Sequence, residues 1–265
     1  KIYWNSLLER GKQQVTCSGS TLPFMNRIPR TLTFLATTVL LVSSISDGAA
    51  QEKTQSRLRI DANDSIVFIG NTFAERMHLF GYFETFLHCK FPEHKLKVRN
   101  MGWSADELTL KPRPVGFGDR HRYLEREEAD VIFACFGMNE SFQGKGELEK
   151  FKADLVALVE DLQSHKFNGE SAPRIVLVSP IAHENLGGVL PDGKEHNANL
   201  LLYTKAMGET AKARGLPFVD LFTPTFEVAT AQEQTNLTFN GIHLTSYGYW
   251  KVSELMARSL GLIGD

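Results

Sequence analysis

Four short stretches carry side chains able to act together on an ester: Gly70-Asn71-Thr72, Asn100 to Asp106, Gly137-Met138-Asn139-Glu140, and Asn240-Gly241-Ile242-His243. Acyl transfer needs a hydroxyl that attacks and a base beside it. It also needs a group that orients the base, and N–H donors where charge develops on the carbonyl oxygen. Thr72 supplies a hydroxyl, although its extra methyl restricts χ1. His243 supplies the base. A carboxamide such as that of Asn139, or a backbone N–H, is a donor of the kind such a site uses. Three residues before His243 the chain offers an amide, Asn240, and not a carboxylate. An amide cannot stabilise an imidazolium as a carboxylate does and can favour the wrong tautomer. In a serine-protease triad the equivalent replacement costs about 10⁴ in rate, or about 5.5 kcal/mol. A backbone carbonyl could orient the base instead, leaving a Thr–His dyad, or Glu140 or Glu184 could replace the missing acid.

Several of these residues also have a purely structural use. Gly70 and Gly137 permit tight strand exits. Asn71 can bond the loop after the second strand, and Asn139 can knit strand ends together. His183 and Glu184 either form the far wall of a pocket or cap a loop. Asp106 and Glu107 read as the first turn of a helix, where negative charge is favoured. The expected site therefore has Thr72, His243, Asn139, Ala105 and Asn240 at its centre. Asn71, Gly102, Trp103, Glu140, His183 and Glu184 line its substrate side, with Trp103 at the rim.

The elements that must position these groups are legible as apolar patterns. Five runs read as strands buried on both faces: 65–70, 96–101, 130–137, 174–180 and 217–222. Phe151, Leu155, Leu158, Val159 and Leu162 mark one face of a helix. Leu79, Phe83, Phe86 and Leu87 do the same in a first helix. Residues 197–213 and 246–260 read as helices, the latter capped by Thr245 or Ser246. Such alternation predicts an α/β three-layer αβα sandwich around a five-stranded parallel sheet, order 2-1-3-4-5. A ligand then binds beyond the carboxyl ends of the strands, where the loops after Gly70 and Phe136 face each other. The long segment 102–128, with Lys111-Pro112-Arg113-Pro114 and Phe117 to Arg122, is expected at the pocket rim.

In their order and spacing the four stretches resemble the blocks of the SGNH, or GDSL-like, hydrolases, over residues 64 to 262. The resemblance implies a flavodoxin-like hydrolase fold and an esterase, lipase or carbohydrate deacetylase chemistry without metal or organic cofactor. It places Thr72 at the nucleophilic serine, Ala105 at the oxyanion glycine, Asn139 at the oxyanion asparagine, His243 at the base and Asn240 at its aspartate. The segments Arg99 to Glu107, Phe136 to Phe142 and Ser179 to Asn185 further resemble SGNH-like domains of exported planctomycete-type proteins, for which a degenerate nucleophile turn is expected. Two functions are implied: hydrolysis of a small ester or acylated carbohydrate, or a degenerate domain that binds a glycan or acyl group.

The remaining features bound the setting. The chain has 265 residues and a net charge of -2, with no run of five basic residues, so a nucleic-acid partner is not expected. Met25 to Gln51 carries Arg27 and Arg30, an apolar stretch from Leu32 to Val42, and Gly48-Ala49-Ala50 before Gln51, the pattern of a cleaved signal peptide. The expected organisation is an upstream, disordered segment at 1–24, a signal peptide at 25–50, a linker at 51–63 and the hydrolase-like domain at 64–265. The mature protein would be exported, periplasmic or secreted, without a stable membrane span. It would retain Cys89 and Cys135, with Cys135 in an apolar run and expected as a buried thiol. The metal-binding spacings of zinc ribbons and zincins are absent from the sequence.

Overall fold

The computed structural model describes residues 57–114, 116–230 and 235–264; the expected upstream segment and signal peptide lie outside the described residues. Five strands form one parallel sheet: β1 (Ser65–Gly70), β2 (Lys97–Asn100), β3 (Val131–Cys135), β4 (Arg174–Val178) and β5 (Phe218–Val219), in the order β2-β1-β3-β4-β5. That is the predicted order. Successive strand residues point to opposite faces. Ile66, Phe68, Val131, Phe133, Val176 and Val178 therefore enter one core, and Val67, Ile69, Ile132, Ala134, Ile175 and Leu177 the other.

Seven helices are described: α1 (Thr72–Met77), α2 (Tyr82–Lys90), α3 (Arg120–Arg126), α4 (Leu148–Gln163), α5 (Lys194–Arg214), α6 (Phe222–Thr230) and α7 (Ser246–Ser259). Phe83 and Leu87 of α2 and Tyr249, Val252 and Met256 of α7 cover the first core. Leu124 of α3, the apolar stripe of α4, and Tyr203, Met207 and Ala211 of α5 cover the second. Thr245, not Ser246, caps α7 by accepting from the Gly248 N–H at 3.0 Å.

Three expectations fail. β2 is not buried on both faces: it is an edge strand, with Lys97 and Arg99 exposed and Val98 and Asn100 half-buried. The first helix is not continuous, because the chain breaks into α1 and α2 before Gly81, whose φ is 59°. Leu79 falls in that break and is 56% exposed. Asp106 and Glu107 do not start a helix. Asp106 instead turns inward and pairs both oxygens with Arg113, at 2.7 and 2.6 Å, which fixes the following segment as an irregular loop. Cys135 is buried, Cys89 is exposed, and both are free thiols.

Candidate active site

The turn after β1 is set by glycine. Gly70 has φ 139°, and a Cβ there would lie 2.1 Å from the Cys135 carbonyl oxygen. The chain exits against β3, and Asn71 N–H donates to that same carbonyl at 3.3 Å. Asn71 then caps α1, its side chain accepting from Phe73 N–H at 3.1 Å, so it does not bond the loop after β2. Thr72 is the first residue of α1. From the opposite side, Tyr249 of α7 donates its hydroxyl to the Phe73 carbonyl at 3.0 Å.

Thr72, Asn139, Ile242 and His243 line one small cavity of about 30 Å³ with Met138, Ser179, Pro180 and Ile181. Stretches far apart in the chain thus meet where β1 and β3 end. The Asn139 side chain makes no hydrogen bond to the protein among the described residues. It knits no strand ends together, and its carboxamide remains free for a ligand.

Asn240 holds His243 in place. Its Oδ1 accepts from the His243 N–H at 3.0 Å and the Ile242 N–H at 3.3 Å. The imidazole Nδ1 lies 3.1 Å from that oxygen and 2.9 Å from the amide nitrogen. If Nδ1–H donates to Oδ1, Nε2 is left as the basic nitrogen. If the amide nitrogen donates to Nδ1, the proton sits on Nε2 and the base is lost. A carboxylate would allow only the first arrangement. Phe239 stacks on the ring, with centroids 5.8 Å apart. Burial, with the nearby Arg76 cation adding to it, holds the imidazole below its ordinary pKa and keeps it neutral.

Neither acid offered as a substitute faces His243. Glu140 is buried, accepting from Gly137 N–H and Leu108 N–H, each at 2.9 Å. Burial raises its pKa, and these backbone donors oppose the rise. Glu184 accepts from Leu237 N–H at 3.0 Å and from the Thr238 N–H and hydroxyl at 2.7 and 2.5 Å. It therefore anchors the loop that carries His243. His183 is part of a buried chain: its Nδ1 lies 3.0 Å from His196 Nδ1, and His196 Nε2 lies 2.8 Å from the Ser141 hydroxyl. A Cβ at Gly241 would come within 2.6 Å of His183 Nε2, so only glycine lets the His243 loop pack there. Glu140, His183 and Glu184 brace the site from behind.

Ala105 has φ 62°, the left-handed conformation that a glycine adopts more cheaply. It is exposed and does not line the small cavity. Gly102 makes the close contact in this loop: a Cβ there would lie 2.3 Å from the Glu75 nitrogen. Asn100 ties the loop to α1 by donating to the Ala74 carbonyl at 2.5 Å, and Trp103 N–H donates to the Gly70 carbonyl at 2.9 Å.

Sequence reasoning placed the 102–128 segment at the rim but missed what it encloses. A cavity of about 1080 Å³ lies beneath it, lined among others by Trp103, Lys111, Arg113, Phe117, Arg120 and Phe136. The mixture of cations and aromatics between 111 and 123 was the available signal. Beside it, His121, Asp161 and His165 bring possible metal-ligand atoms within 4.8 Å of one another. Asp161 already takes Arg120 at 3.0 Å and His121 at 2.9 Å.

A doubly wound parallel sheet with a hydroxyl, an imidazole and a carboxamide at its carboxyl edge defines the class of the protein. Residues 64–251 match the GDSL-like lipase/acylhydrolase family, and the chain belongs to it. No curated protein matches the sequence. Among solved structures, it is similar to a catalytic mutant of the acetylxylan esterase Axe2 from Geobacillus stearothermophilus, at 16% identity over 78% of this chain and 100% of that one, with a TM-score of 0.59. It is also similar to LAE5, an alpha/beta hydrolase from the metagenome of Lake Arreo, Spain, at 15% identity over 78% and 99% of the two chains, with a TM-score of 0.60. A third similarity is to BT4096, a gut microbial diltiazem-metabolizing enzyme, at 19% identity over 80% of this chain and 50% of that one, with a TM-score of 0.61. At these identities the structures share the fold.

Proposed function

We propose that the protein is an exported O-acyl ester hydrolase of the carbohydrate acetyl esterase type, working through a Thr72–His243 dyad. What supports this most is the lining of one small cavity by Thr72, Asn139 and His243 together. Thr72 Oγ1 attacks the ester carbonyl carbon while His243 Nε2 takes its proton. Asn139 and the Thr72 N–H, which has no partner within α1, stabilise the oxyanion. The C–O bond to the alcohol then breaks, and His243 returns the proton to the leaving oxygen. Water, deprotonated by the same imidazole, releases the acyl group as a carboxylic acid. The Axe2 catalytic mutants replace a serine, an aspartate and a histidine, the aspartate three positions before the histidine. Asn240 stands in that same relation to His243.

The full chain should hydrolyse p-nitrophenyl acetate and release acetate from acetylated xylan, and Thr72→Ala and His243→Ala should each abolish both activities. Turnover unaffected by either substitution would sink the dyad. A folded protein with no turnover would leave a binding cleft in its place. Export belongs to the same proposal, and N-terminal sequencing of secreted protein should begin at Gln51.

A further inference from the structure

The large cavity is walled by residues whose charges are unevenly satisfied. Of its four acidic residues, Asp106 is paired with Arg113 and Glu127 with Arg99. Asp119 caps α3 by accepting from Arg122 N–H, and Glu75 accepts the Ser104 hydroxyl. The cations are less well met. Lys111 Nζ donates to the Glu107 carbonyl and has no carboxylate partner among the described residues. Arg126 makes no hydrogen bond or ion pair among them. Arg120 uses one terminal nitrogen on Asp161, while its Nε is buried without a partner.

Lys111 also occupies a telling place. Its ammonium lies 4.9 Å from the centre of the Phe136 ring, and Phe136 lines both cavities. The packing of Gly102 on Ala74 and Glu75 sets the wall of the large cavity against the helix that begins with Thr72. The wall also carries the apolar and aromatic side chains of Ile69, Leu108, Phe117 and Tyr123. At about 1080 Å³ the space suits an oligosaccharide, being at the upper end of small-molecule sites.

We infer that this cavity holds the alcohol side of the ester and selects a sugar bearing an anionic group, a carboxylate or a sulfate, through Lys111 and Arg126. The choice of substrate class rests on the Thr72–His243 reading. An anion would relieve an ammonium that burial now disfavours: the Lys111 pKa is lowered to about 8 by burial, against the raising fields of Asp106 and Glu140 and with the lowering fields of Arg120 and Arg113. A neutral sugar would offer that ammonium no ion pair.

The test is binding without hydrolysis. Calorimetry on the full chain would compare an unacylated galacturonate trimer, a sulfated disaccharide and neutral xylotriose. The acidic probes should bind at least about tenfold more tightly than xylotriose, as one charge-assisted contact implies. Lys111→Met should erase that margin, and added salt should weaken acidic binding alone. Affinity for the acidic probes should fall as pH rises past about 8, where the amine loses its proton. Arg126→Gln, an exposed position, keeps the test open if Lys111→Met fails to fold. Equal affinity for acidic and neutral probes, or acidic binding indifferent to both substitutions, overturns the proposal. The difference between galacturonate and the sulfated probe tells which anion is preferred. Because no probe carries an ester, a failure of the Thr72–His243 chemistry would appear instead as binding without turnover of acetylated substrates.

Discussion

The two cavities at the carboxyl edge of the sheet differ in opposite respects. The small one has hydroxyl, imidazole and carboxamide together but only about 30 Å³ of space. The large one has about 1080 Å³ and many binding groups, but its lining includes neither Thr72 nor His243. The small cavity is built by strand ends and by one-residue glycine turns at Gly70 and Gly241, where a side chain would collide with neighbouring atoms. The large one is built by an irregular loop closed on itself through the Asp106–Arg113 pair. Rigid elements fix reactive groups more closely than loops do, whereas loops vary what is bound. On the proposed reading chemistry and recognition are separated in the fold, and substitutions should separate them too.

The largest effect should come from the small cavity. His243→Ala should lower kcat/KM for p-nitrophenyl acetate by at least about 10³, in line with loss of a catalytic base. Steady-state kinetics with this small ester isolates that cavity, since the ester carries no sugar. A comparable loss from Leu108→Ala, in the wall of the large cavity, would break the separation.

Asn240→Asp sharpens it. A carboxylate would accept from Nδ1–H and favour the reactive tautomer, so kcat should rise, by as much as about 10⁴ if the protease case is reversed. The same substitution should move the pH profile. With Asn240 present, burial and Arg76 hold the His243 pKa below its ordinary value, so the acid limb of kcat/KM should lie below the ordinary histidine range. A new carboxylate favours imidazolium, and the limb should move to higher pH. A limb that stays in place would show that His243 is not the titrating base.

Most of the fold was legible because β1, β3 and β4 lie in continuous apolar runs and α4 carries a clear stripe. That Thr72 and Asn139 come to one cavity was legible because each lies at a strand exit. Other features depend on three-dimensional partners that no local pattern shows. Asp106 has the sequence look of a helix start, but Arg113, seven residues on, draws it into the loop. Glu140 and Glu184 look like spare acids beside the site, yet backbone N–H groups of distant segments claim both. The His183–His196–Ser141 chain joins three separate stretches, and no local pattern links them.

That buried chain predicts a pH effect on stability, smaller than the catalytic effects. Burial, with His183 beside it, lowers the His196 pKa to about 4, and burial lowers that of His183 as well. Both therefore fold in the neutral form, while in the unfolded chain they take up protons near the ordinary histidine value. The unfolded state then binds more protons as pH falls, so their contribution to stability is present at neutral pH and declines from about 6.5 down to about 4. The melting temperature should fall over that window, and His196→Gln, which cannot titrate, should flatten the fall. Activity at neutral pH would still report only on the Thr72 cavity.

The smallest effect should arise at Ala105, in the loop that walls the large cavity. At φ 62° an alanine pays the left-handed penalty of about 1–2 kcal/mol. Glycine removes that cost but loses about 0.5–1 kcal/mol through a more flexible unfolded chain. Ala105→Gly should thus change unfolding free energy by no more than about 1 kcal/mol, measured by urea titration at constant m-value. Its catalytic effect discriminates more sharply. Ala105 is exposed and does not line the small cavity, so kcat for p-nitrophenyl acetate should not change. A large gain in kcat with little change in stability would show instead that the Ala105 N–H reaches the oxyanion during the reaction, and that the loop over the large cavity takes part in the chemistry of the small one.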